Sequence, residues 1–183
     1  VGYDADPIDG SPNLTATQLT LTGGDVDIKA GNLTESFVIA APSGTSGGAG
    51  GSDVGVGASF GLNISLNDTI AEIENGEQVS GSTGHFIVSA DSANATMTTT
   101  QNGASGGGTS IGAAISIAVV ENKTRAHIGS GTGGTISLNG DLSAQATHTN
   151  SVITKASGEA AGDDVAVGAS VALNIVVDDT RAE

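Results

Sequence analysis

Val56-Gly-Ala-Ser-Phe-Gly-Leu-Asn-Ile-Ser-Leu66, followed by Asn67-Asp68-Thr69 and Ile70-Ala71-Glu72, is the stretch on which the fold turns. It returns as Ile111-Gly-Ala-Ala-Ile-Ser-Ile-Ala-Val-Val120, Glu121-Asn122-Lys123-Thr124 and Arg125-Ala126-His127. It returns again as Val167-Gly-Ala-Ser-Val-Ala-Leu-Asn-Ile-Val-Val177, Asp178-Asp179-Thr180 and Arg181-Ala182-Glu183. Thr69, Thr124 and Thr180 mark the same slot, 55 and then 56 positions apart. A fixed period of this size is the mark of a repeat architecture.

Within each copy the apolar residues fall on alternate positions. Ile111, Ala113, Ile115, Ile117 and Val119 point one way, and Gly112, Ala114, Ser116 and Ala118 the other. That is the strand period, and the glycine and β-branched content argues against helix. The large-residue face is expected to be buried, with Ile117 in the core beside Leu62 and Leu173. The opposite row is Gly57, Ser59, Gly61 and Asn63, then Gly112, Ala114, Ser116 and Ala118, then Gly168, Ser170, Ala172 and Asn174. Small residues let another backbone come close. This row is expected to be an assembly face, covered by a further β layer of the same chain or of a neighbouring copy.

Composition narrows the function classes. The chain has 183 residues, 29 of them Gly, with 2% aromatics and 14% charged residues. Val, Ile, Leu and Ala suffice for a solenoid, in which each unit is held by its neighbours. Twenty acids against five Lys and Arg give a net charge of −15. That balance disfavours nucleic acid and anionic membrane surfaces as partners. There is no Cys, hence no disulfide framework and no thiol chemistry. No apolar run is long enough for a membrane helix. The third copy stops at Glu183, and the chain reads as a segment of something longer.

In chain order, residues 1–42 read as a partial or degenerate repeat, 43–101 as the first repeat, 102–156 as the second and 157–183 as the truncated start of a third. Gly/Ser-rich loops precede the core strands, as in Ser43–Asp53. They lack the Gly-Lys-Ser/Thr of a phosphate loop. The Asx-rich triplets after each core strand read as corners. About four strands then fill each repeat, with turns at Gly23-Gly24 and Glu74-Asn75-Gly76. The fold class is all-β: a parallel, β-helix-like repeat solenoid, with antiparallel β-sandwich modules as the alternative. At the usual strand length of ~5–6 residues, one repeat divides into two coils.

The pattern Val-Gly-Ala-Ser-Val-Ala-Leu-Asn-Ile-Val, followed by Asp-Asp-Thr-Arg-Ala-Glu, resembles repeats of very large bacterial surface and secreted proteins, the leukotoxin-like and filamentous-haemagglutinin-like adhesins. The resemblance covers residues 43–183 and is weaker over 1–42. It implies an extracellular stalk or filament segment at the bacterial cell surface, active in adhesion or fibre assembly. Its partners would be other copies of itself or adjacent repeats. A ligand-binding adhesin module for a glycan, a host surface or calcium is the alternative, and a polysaccharide-active β-helix enzyme the third reading. No catalytic motif comes with the resemblance, and the Gly-Gly-x-Gly-x-Asp nonapeptides of calcium-binding toxins are absent.

Candidate chemistry is sparse. Asp4, Asp6 and Asp9, the Asp163-Asp164 pair, and Asp178 with Asp179 supply oxygen donors of the kind calcium takes. No EF-hand spacing accompanies them, and no other cofactor is indicated. His85, His127 and His148 stand in unrelated contexts. A Ser-His-Asp triad is compatible with the composition, but no spacing places one. Six Asn-x-Ser/Thr sequons are present, including Asn13-Leu-Thr15 and Asn94-Ala-Thr96, in a chain rich in all three residue types.

Overall fold

The computed structural model describes residues 18–42, 48–129 and 134–183. Its elements are β1 (Gln18–Thr22), β2 (Val26–Ala40), β3 (Gly48–Gly51), β4 (Val54–Ile73), β5 (Gln78–Ser82), β6 (His85–Gly106), β7 (Thr109–Ile128), β8 (Thr135–Leu138), β9 (Asp141–Gly162) and β10 (Val165–Ala182). Every pairing is parallel. A short sheet runs β1-β5-β8, a long one joins β2 and β3 to β6 and β9, and a second long one runs β4-β7-β10. The described residues form an all-β parallel solenoid of three coils, each a short strand and two long sides, the first long side of the first coil being given by β2 and the four-residue β3.

The repeat is one coil, not two. Thr69 pairs with Thr124 and Thr124 with Thr180, so equivalent residues stack directly on one another. The strands are about four times the usual ~5–6 residues. Asn67-Asp68-Thr69 and its equivalents are not corners but lie inside continuous β4, β7 and β10. Four expected strands thus merge into three. The chain reverses in two-residue bends, at Ser52-Asp53, Gly107-Gly108 and Asp163-Asp164. These bends stack as well, Gly107 N donating to Ser52 O and Asp164 N to Gly108 O. Gly23, Gly24 and Gly76 take positive φ in the two expected turns.

Residues 18–40 belong to the first coil, pairing in register with β5 and β6. Their offset is 60 residues (Ala40 to Thr100) but falls to 55 by Gly48 and Gly103. The segment between Ala40 and Gly48 therefore carries five residues more than its counterpart in the next coil.

The large-residue face of the long sheets is the outer one, contrary to the sequence expectation, whereas the small row is covered by a β layer of the same chain, as expected. Val56, Phe60, Ile64, Val167, Val171 and their neighbours face outward, with Phe60 58% and Ile64 60% exposed. Ile117 is half-buried on the same outer face, between Leu62 and Leu173. The small row faces inward against the other long sheet: Ala118 and Ser116 are fully buried, and Asn63 nearly so.

The reason lies in the thickness of the interior, which tapers. At the wide end the short sheet closes over Ile73, Val79, Phe86, Val88, Ala71, Ala90 and Ala126, the apolar core. Midway, Ser, Thr and Asn of the two long sheets meet. At the narrow end backbone meets backbone. A Cβ on Gly57 would lie 2.6 Å from Gly103 O, one on Gly168 2.7 Å from Gly158 O, and one on Gly112 would strike Glu159 O. No Phe, Leu or Ile fits between sheets this close, so the bulky residues of the alternation take the outer face.

Candidate functional site

The interior midway along the coil is a stacked polar network. Asn67, Asn122 and Asp178 occupy one register position on β4, β7 and β10. Asn67 Nδ2 donates to Asn122 Oδ1 at 2.9 Å, and Asn122 Nδ2 donates to Asp178 Oδ1 at 2.7 Å. From the facing sheet Asn94 Nδ2 donates to Asn122 Oδ1 at 2.6 Å, and Asn150 Nδ2 reaches both Asp178 oxygens at 3.2 and 3.3 Å. The same cross-sheet pattern continues with Ser36 Oγ on Asn63 Oδ1 at 2.8 Å, and with Thr154 on Asn174. Burial pushes the Asp178 carboxyl up, but the hydrogen bonds from Asn122 and Asn150, with His148 close by, outweigh it and hold it below the ordinary carboxylate value.

Ser92, His148 and Asp178 meet in this network. Ser92 Oγ lies 2.5 Å from His148 Nδ1 and 2.7 Å from Thr124 Oγ1. His148 Nε2 stands 3.4 Å from Asp178 Oδ1, an electrostatic contact longer than a formed hydrogen bond. The residue types are those of a hydrolase triad, but the order of access is inverted. In a working triad the serine meets the substrate and the aspartate lies behind. Here Ser92 is buried on the middle coil, and Asp178 is the partly exposed member. The arrangement ties the second and third coils together. Sequence spacing gave no sign of it, because its members come from three strands of two sheets.

Among the described residues, the carboxylates read as calcium donors do not come together. Asp178 and Asp179 are consecutive on one strand and point to opposite faces. Asp178 is occupied by amide donors, and Asp179 accepts from Arg181 Nε at 2.7 Å. Asp163 and Asp164 lie in the bend at the narrow edge, and Asp4, Asp6 and Asp9 fall outside the described residues. Among the described residues no group of three or more His, Asp or Glu side chains is arranged to hold a metal ion. The histidines are dispersed, His85 Nδ1 lying 3.4 Å from Asp141 and His127 Nδ1 3.9 Å from Glu183.

No protein family, curated protein or solved structure matches this chain.

The outer face of the β4-β7-β10 sheet carries two distinct surface features. Toward its wide end lies a charged lattice. Arg125 Nη2 bonds Glu72 Oε2 at 3.0 Å, and Lys123 Nζ bonds Glu121 Oε1 at 2.9 Å. Glu121 beside Lys123 holds its ammonium above the ordinary lysine value, helped by Asp68 and Asp179 on the flanking strands. Glu72, Glu74, Asn75, Arg125 and His127 line a shallow depression there. Toward the narrow end lies the aliphatic face. The twelve small residues expected to mediate assembly are on the opposite side of the same strands, turned toward the second long sheet. In the sequence the alternation was plain, but its polarity was not.

Proposed function

We propose that this chain is a structural segment of a bacterial extracellular or cell-surface repeat protein, acting as a stalk or filament element in adhesion or fibre assembly. The observation that carries the reading is the in-register stacking of like residues at one coil per repeat. Such a coil has no intrinsic limit, since each repeat presents the next with the edge it was itself built on. One coil adds about 4.8 Å along the axis, and a strand of twenty-odd residues spans about 70 Å across it. The product of repetition is a flat, broad blade rather than a thin rod. Stiffness across the blade is what a projecting element requires, and no step of it needs a cofactor.

The partners under this reading are further repeats and other copies of the chain. Surface labelling of the source cells tests it. Antibodies raised against residues 18–183 should bind intact cells, and protease added outside should remove the signal. Labelling that appears only after the cells are permeabilised overturns the extracellular assignment. A ligand-binding module remains the second reading, favoured by the exposed aliphatic face, which suits a protein surface better than a glycan because Phe60 is its one aromatic residue.

A further inference from the structure

The outer face of the β4-β7-β10 sheet carries six successive rows of three, from Val54/Thr109/Val165 to Ile64/Val119/Ile175. Thr109 is the one polar residue in this block and no charge interrupts it. The charged lattice begins only at Glu121. Six rows at two residues each cover about 40 Å, and three strands about 14 Å, a footprint of about 600 Å². Apolar patches on ordinary monomers end near that size and are often functional.

We propose that a second copy of this chain covers this face, sheet against sheet, about a two-fold axis parallel to the direction in which the coils stack. The inference deepens the filament reading above by naming its lateral contact. Area is the first argument. Two such faces bury about 1,200 Å² together, the lower bound of a specific interface, and every further coil adds about 400 Å² to that total. Shape is the second. The row Ala58/Ala113/Ala169 lies beside the bulky row Phe60/Ile115/Val171. With the axis between these rows, the alanine trough of each copy receives the bulky row of the other. Val56/Ile111/Val167 then meets Leu62/Ile117/Leu173. Regular strands keep the face flat. This axis leaves the two blades pointing the same way, coil facing coil, so the contact repeats for any number of repeats.

The test is sedimentation equilibrium on the whole chain, with circular dichroism as the check on folding. The wild type should be a dimer, and Ile115→Lys should raise the dissociation constant by about 100-fold or more, because two charges enter a dry contact. Met97→Lys, on the outer face of the other long sheet, should leave the dimer intact. A wild type that stays monomeric at ~100 µM, a concentration at which a weak specific contact is occupied, overturns the proposal, as does equal dissociation by Met97→Lys. The absence of cysteine permits a second measurement that does not depend on the lysine variant folding. Mixed Ala113→Cys and Ile115→Cys chains, mildly oxidised, should form the heterodisulfide in preference to either homodisulfide. Both positions lie on the middle strand, so pairing through open sheet edges does not bring them together. No preference overturns the axis. A monomer that floats with phosphatidylcholine vesicles through Ile115 overturns pairing in favour of a lipid surface. Failure of these tests leaves the cell-surface labelling result standing on its own.

Discussion

Asn122→Asp is the substitution that tests the polar interior most directly. The wild-type amide accepts from Asn67 and Asn94 on one atom and donates to Asp178 with the other, at 2.7 Å. The aspartate keeps both acceptor roles and loses the donor, placing two carboxylates at that distance. At 2.7 Å two like charges repel by about 1.5 kcal/mol in bulk water and about 6 kcal/mol at the effective dielectric of a protein site. Asp178 is 36% exposed, which puts the repulsion between these limits, at about 3 kcal/mol. The lost charge-assisted hydrogen bond adds about 1.5–3 kcal/mol. The variant should therefore lose about 4–6 kcal/mol at pH 7, a large part of a typical ~5–15 kcal/mol stability. The pH dependence reverses sign. In the wild type the Asp178 pKa is depressed, so its contribution is present above the unfolded value near 4 and is lost as pH falls through the lower folded value. In the variant one carboxyl of the pair is raised, since a shared proton restores a donor, and stability is gained as pH falls from 7 toward about 4.5. Urea unfolding followed by circular dichroism at pH 7 and pH 4.5 measures both. A variant no weaker at pH 7 than at pH 4.5 would mean that Asn122 does not face Asp178.

Other perturbations separate the three zones of the interior. Gly112→Ala, which drives a Cβ into Glu159 O, should cost about 2–3 kcal/mol by urea unfolding, whereas Gly31→Ala, with open space around it, should cost nothing or stabilise slightly. Phe86→Ala, at the fully buried wide end, should lower stability by about 3–5 kcal/mol and shift the thermal midpoint accordingly. Ser116→Arg should unfold the chain, because it buries a charge between the long sheets, while Ile117→Asp should cost about 1 kcal/mol and act chiefly on self-association. Equal effects of the last two on thermal melting would restore the original inside–outside assignment.

Strand periodicity and the repeat were legible because they rest on backbone sterics and on spacing, which a single chain displays, whereas the choice between parallel and antiparallel stacking was left open by the sequence. The coil count was not legible either. Asn67-Asp68-Thr69 has the composition of a turn, but its amides find partners across the coils, so the local signal for bending is overridden by a ladder one period away. The first coil was obscured by its five extra residues, which shift the register between Ala40 and Gly48 and hide its kinship with β6. The Ser92–His148–Asp178 contact needs three strands brought together and leaves no trace in spacing. The aliphatic face was misassigned for a more general reason. Alternation fixes which residues share a face, but which face is interior depends on how far apart the sheets stand.

That distance is itself set by the small residues, and so is the register. A slip of one residue between coils would turn every aliphatic side chain inward, where the glycine rows leave no room. A slip of two keeps the polarity but carries Gly112 away from Glu159 O and puts Ala114 at the close approach, while Asn122 loses both Asn67 and Asp178. The narrow end thus rejects a shift by steric contact, and the middle rejects it by unpairing buried amides. Phe86 and Ile73, by contrast, tolerate a two-residue shift better, since the apolar wedge offers several equivalent neighbours. Specific stacking therefore resides in Gly57/Gly112/Gly168 and Asn67/Asn122/Asp178, and bulk stability in the wedge. Neither task falls to the outward aliphatic rows. They are held to a strict alternation across three coils without serving the interior, which is the condition expected of a face selected for a contact outside its own coil.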